Sequence, residues 1–149
     1  MFRMNLCLVF FPLIWVTVSA THADDCGSKI GSFSVVEVSG CSDNNHECVL
    51  RKRTNVTLHI TFTTNEAVQS VKAVVHGIVQ GIPVPFSLPD GDACKTSLQC
   101  PLSAGTTYNY TAQLPVKKYY PSVQVKVKWE LQNEKEEDIV CCIIPARIR

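Results

Sequence analysis

The chain has 149 residues, 46% hydrophobic and 18% charged, with a formal net charge of +1. That length sets one domain and one core as the expectation. A chain this close to neutral lacks the basic field that draws nucleic acid, so that class of partner is excluded.

The first residues read as a secretory leader rather than as part of the domain. Arg3 supplies a positive start, Leu6 to Val18 is an apolar run, and small residues follow at Ser19, Ala20 and Ala23. The run is about 13 residues, too short for a bilayer that needs roughly 20. Cleavage fits after Ala20 or after Ala23, and the boundary adopted is a leader over 1–23 and a domain over 24–149. Arg3 leaves with the leader, so 13 basic residues then face 13 acidic ones.

Of the eight cysteines, Cys7 goes with the leader and seven remain. Secretion is an oxidising route, so disulfides are expected, and an odd count leaves one cysteine over. Cys41 and Cys48, and Cys94 and Cys100, are close enough to staple short loops; Cys26 can close the domain with Cys141 or Cys142. A metal held by Cys41, His46 and Cys48 is the minor alternative in this compartment, and no metal or cofactor is expected. Sequons at Asn55-Val56-Thr57 and Asn109-Tyr110-Thr111 mark Asn55 and Asn109 as glycosylation sites that face solvent.

Period-two alternation dominates the mature domain. Val56, Leu58, Ile60 and Phe62 alternate with polar residues, as do Tyr108, Tyr110, Ala112 and Leu114. Val123, Val125, Val127, Trp129 and Leu131 form the clearest dry face. Segments 29–38, 68–79 and 138–148 are β-rich but alternate less cleanly. Six or seven strands with no sustained helical period predict an all-β, immunoglobulin-like two-sheet sandwich. Gly81 to Gly91 holds three prolines yet keeps Ile82, Val84, Phe86 and Leu88 at every second position, as an edge segment over an apolar space would. Asn133 to Asp138 reads as a charged, solvated hairpin turn.

No catalytic motif is present: no Gly-x-Ser-x-Gly, no His-Glu-x-x-His and no phosphate loop, so the chain is not read as an enzyme. The prolyl segment, Leu114-Pro115-Val116 and Tyr119-Tyr120-Pro121 instead form a rigid rim of the kind a preformed apolar pocket requires. Ile78 beside His76 is read as a loop at the pocket mouth that touches a membrane or a partner.

The stretches AVVHGIVQGIPVPFSLPDGDACKTSLQCP (Ala73 to Pro101) and LPVKKYYPSVQVKVKWELQ (Leu114 to Gln132) carry a resemblance, as do DCGS (Asp25 to Ser28) and CCIIPARI (Cys141 to Ile148). The chain resembles the Niemann–Pick type C intracellular cholesterol transporter 2 family, also called epididymal secretory protein. The resemblance implies an ML (lipid-recognition) domain with an internal lipid pocket between two sheets. It implies three disulfides, Cys26–Cys141, Cys41–Cys48 and Cys94–Cys100. It also implies a secreted, possible endosomal or lysosomal carrier, expected to be a monomer, that binds sterol. Such a carrier hands its cargo to membranes in transient contact or to a membrane sterol transporter. Fatty acids and other small hydrophobic signals are the alternative cargo. By motif, the implied pocket residues are Val84, Phe86, Val116, Tyr120, Pro121, Val125, Val127 and Trp129. Leu50, Val56 and Leu58 join them on a weaker local motif, with Val38 and Val75 as further candidates. Cys142 stands where the family has tryptophan, which implies a larger pocket or a shifted specificity, and a free thiol. The family's usual sequon aligns with His59, where this chain offers Asn55 instead.

Overall fold

The computed structural model describes residues 12–14, 21–41 and 47–149. The leader expected over 1–23 falls largely outside them, and so does His46. The described residues form β1 (Asp24–Asp25), β2 (Gly31–Val38), β3 (Cys48–Leu50), β4 (Thr54–Thr64), β5 (Lys72–Val79), β6 (Ile82–Phe86), α1 (Ala93–Thr96), β7 (Thr107–Val116), β8 (Gln124–Gln132) and β9 (Asp138–Ile148).

Two sheets result, as the alternation predicts. One runs β1-β9-β8-β5-β6, with β3 on the same edge of β9 as β1; the other runs β2-β4-β7. Every pair is antiparallel except β3 with β9. On β8, Val125, Val127, Trp129 and Leu131 are buried, while Gln124 and Lys126 are exposed on the opposite face. They meet Val56, Leu58, Ile60 and Phe62 of β4 across the interior, because each strand has one face that leaves water. The prolyl segment forms β6, an edge strand on β5, where Pro83 and Pro85 disrupt no second ladder. Gln80 and Gly81 join the two strands with positive φ at both positions, as a two-residue hairpin requires.

The cysteines pair as the resemblance implies. Cys26–Cys141 ties the N-terminal segment to β9 across 115 residues. Cys41–Cys48 and Cys94–Cys100 each close a short loop. Cys41 and Cys48 are therefore not metal ligands. Cys142 is free and buried. Residues just before β1 also belong to the folded body. The Thr21 amide donates to the Val36 carbonyl (2.8 Å) and its hydroxyl accepts from the Val38 amide (3.0 Å).

Candidate functional site

The interior is not filled evenly. Towards the β8–β9 turn, Phe62, Leu131, Ile139 and Val140 are almost wholly buried. Towards the other end a cavity of about 20 Å³ remains, room for about one water molecule. Both sheets line it: Val38 from β2, Val56 and Leu58 from β4 and Leu114 from β7 on one side, Cys48 and Leu50 from β3, Val127 and Trp129 from β8, and Ile144 and Ala146 from β9 on the other. The wall carries no charged group, and Cys48 is locked in its disulfide. It offers apolar contact and no nucleophile, acid or base.

Leu50, Val56, Leu58, Val127, Trp129 and Val38 thus come together in the wall. Val75, Val116 and Val125 are buried in the same core without lining the cavity. Phe86 lies over Gly77, where an added Cβ would sit 2.5 Å from its ring. Gly77 pairs with Val127, so Phe86 covers the strip of sheet between the cavity and the β6 edge. Tyr120 meets Phe86 edge-on with ring centroids 5.3 Å apart. Val84 and Pro121 are exposed outside this pair.

Several expectations are corrected. The rim does not hold a pocket open, because prolines fix backbone angles while the wall side chains are free to close the gap. Cys142 packs beside Trp129 on β9 but does not line the cavity, so the missing aromatic adds no volume there. Burial, with the charge of Asp25 adding to it, pushes its thiol up to about 12, which keeps it protonated and inert at neutral pH. His76 and Ile78 lie in β5 rather than in a loop. They are half-buried on the face of the sheet opposite the cavity, as their pairing with Lys128 and Lys126 requires. Asn55 and Asn109 are exposed, on the outer face of the β2-β4-β7 sheet.

Sequence reasoning misses Ile144 and Ala146, whose strand is apolar on both faces, and Cys48, which reads as a staple; Leu114, read as part of the rim, lies in the wall itself. It names Ile82 and Tyr119 in the rim but misses the basic residues beside them. Ile82 and Tyr119 are exposed there with Val84. Arg53, Lys117 and Lys118 line an open groove of about 430 Å³ at the base of the Tyr119 loop.

A disulfide-stapled β-sandwich of this topology with an apolar slot inside is the form of a lipid-recognition domain. The ML domain family model matches residues 20–148. The chain is 46% identical over 144 residues to the ecdysteroid-regulated 16 kDa protein of Manduca sexta, covering 96% of this chain and 99% of that one. It is 47% identical over 135 residues to NPC intracellular cholesterol transporter 2 homolog a of Drosophila melanogaster, covering 90% and 91%. The solved structure of a Niemann-Pick type C2 protein from Japanese carpenter ant superposes with a TM-score of 0.80 at 32% identity, over 85% of this chain and 98% of that one. The chain belongs to the ML-domain family, among the NPC intracellular cholesterol transporter 2 proteins, and is not an enzyme.

Proposed function

We propose that the protein is a secreted carrier that takes a sterol or related lipid between its sheets and passes it to a membrane or a membrane transporter. The observation that carries this reading is the cavity wall: side chains from both sheets, all apolar, in a chain whose relatives include cholesterol transporters. Burying a sterol removes roughly 500 Å² from water, about 12 kcal/mol gross at roughly 25 cal/mol per Å². Lost freedom and pocket ordering offset several kcal/mol of that, leaving reversible binding.

Pockets for such ligands occupy about 300 Å³ or more, so the sheets must part. Among the described residues no disulfide joins β4 or β7 to the other sheet; Cys41–Cys48 ties only the segment after β2 to β3, and the sheets can part beyond it. Phe86 and Tyr120 are the side chains that swing first, and exposed Ile82, Val84 and Tyr119 provide the apolar contact with the membrane. Arg53, Lys117 and Lys118 beside them suit an anionic lipid surface. The hydrogen bonds of Thr21 to β2 favour leader cleavage after Ala20.

The small cavity favours a second cargo class, fatty acids and other slender chains, which need less parting than fused rings. Mass spectrometry of an organic extract of the secreted protein separates the two. Sterol supports the first, acyl lipid the second. An empty core that also takes up no fluorescent sterol overturns lipid carriage. Phe86→Asp is expected to abolish uptake with the fold retained.

A further inference from the structure

The basic groove at the base of the Tyr119 loop has a modification site in its wall. Arg53, Lys117 and Lys118 line it together with Asn55 and Pro115, and no acidic residue does. Among the described residues none of the three cations is in an ion pair. Backbone bonds hold both sides in place. The Arg53 amide donates to the Val116 carbonyl (2.6 Å), and the Tyr120 amide donates to the Lys117 carbonyl (3.2 Å). The second bond closes the turn that carries exposed Tyr119 and places Tyr120 against Phe86. The cations are thereby fixed beside the residues that close the mouth.

Asn55 is exposed, pairs with Pro115 and opens the sequon Asn55-Val56-Thr57. A side chain that lines a groove roots in that groove any sugar bonded to it. The groove measures about 430 Å³, enough for a small organic group. Sugar hydroxyls and N-acetyl carbonyls accept hydrogen bonds, and the Arg53, Lys117 and Lys118 donors have no acid to compete for them. We infer that a sugar on Asn55 regulates membrane docking. Its first rings occupy the groove, and the phosphates of an anionic leaflet reach Arg53, Lys117 and Lys118 only in protein that lacks it. This rests on the reading that the groove meets an anionic lipid surface, and it adds a regulator to that reading. Each basic residue close to an anionic leaflet strengthens binding about five-fold, so screening two of the three weakens it by at least about ten-fold. Asn109 is placed differently. It lies on β7 six residues before Pro115, about 20 Å along the strand, and does not line the groove. A sugar there leaves the cations open.

The secreted protein is the material, and phosphatidylcholine vesicles with and without phosphatidylserine are the probes. Glycopeptide mass spectrometry is expected to find sugar on Asn55; a bare Asn55 overturns the inference. Thr57→Val removes the sequon, keeps a β-branched residue in the strand and leaves every groove residue in place. It is expected to raise binding to the anionic vesicles about ten-fold and to leave binding to the neutral ones unchanged. Asn55→Gln removes the same sugar through its other anchor residue and is expected to match it, which keeps the test open if one variant is not secreted. Lys117→Gln with Lys118→Gln, added to Thr57→Val, is expected to cancel the gain, whereas a gain due only to a less bulky particle would survive. Asn109→Gln is expected to change anionic binding by less than about two-fold. Equal anionic binding with and without the Asn55 sugar, a gain that survives the lysine replacements, or an equal gain from Asn109→Gln each overturns the inference. Failure of both the sugar-bearing and the sugar-free protein to bind anionic vesicles overturns the membrane reading itself.

Discussion

At one end of the interior the backbones of the two sheets nearly touch. A Cβ on Gly31 would lie 2.6 Å from the Thr63 carbonyl oxygen and 2.7 Å from that of Ile139. At the other end ten side chains surround a gap, and Ile82, Val84 and Tyr119 stand in solvent. The long-range staple, Cys26–Cys141, anchors the N-terminal segment to β9 beside Glu130, whereas the staple bordering the cavity spans only 7 residues. Stability is thereby concentrated where the sheets converge. The other end can part without unfolding the domain, because local opening draws on the less tightly packed contacts.

Removing the long staple tests this most severely. Cys26→Ala with Cys141→Ala is expected to cost about 5 kcal/mol of unfolding free energy, against about 2.5 kcal/mol for Cys41→Ala with Cys48→Ala. Denaturant titration of both double variants measures the gap, and equal losses would erase the distinction between the ends. Next in size, Leu131→Ala should cost about 4 kcal/mol and Leu114→Ala about 2 kcal/mol, because Leu114 already borders empty space and loses fewer contacts. Urea unfolding at one temperature suffices, and a costlier Leu114→Ala would reverse the picture.

The packed end also carries a pH signature. Burial and the neighbouring Glu130 push Asp138 up to about 7, with Gln132 and Lys128 partly opposing them, and its Oδ1 has no partner. The folded state therefore holds this proton where the unfolded chain, with an ordinary value of 3.8, has released it. The stability gained is full below about pH 4 and lost as the pH rises through about 7. Asp25, Glu47, Glu134 and Glu137 are shifted down by their hydrogen bonds to backbone amides, Arg147, Lys29 and Asn133, so their contributions vanish only in stronger acid. The melting temperature is expected to be higher at pH 5 than at pH 8, and Asp138→Asn should flatten that slope. An unchanged slope in the variant would assign it elsewhere. The smallest stability effect belongs to the open end. Tyr119→Ala should change unfolding free energy by less than about 0.5 kcal/mol. It should nonetheless slow sterol transfer between vesicles; unaltered transfer would remove Tyr119 from the membrane contact.

The same contrast explains what could be read in the sequence. β4, β7 and β8 have one wet face each, so their period shows. β9 does not, because Cys141 is bonded to Cys26 on its outer face and Ile143 and Pro145 are half-buried there. Its cavity residues Ile144 and Ala146 are hidden with it. β1 and β3 are too short to display any period. The turn from Asn133 to Asp138 looks uniformly solvated in sequence. A register shift at Leu131 and Gln132 brings Asp138 opposite Gln132 and near Glu130, a pairing no local pattern announces. Val56, Leu58, Val127 and Trp129 are legible from family motif and alternation together, and Leu50 from the motif alone. The closed state of the cavity is legible from neither, since it depends on how side chains of distant strands share volume.

Asn55 and Asn109 rise from adjacent strands on the outer face of the β2-β4-β7 sheet, Asn55 at the border of the groove that Arg53, Lys117 and Lys118 line. Sugars attached at both positions would give the particle a bulky, hydrated back. A body with such a back can land on a flat surface in few ways, and those that remain present its other flank. Two tripeptides whose asparagines face away from the cavity would in this way set the attitude in which the carrier arrives.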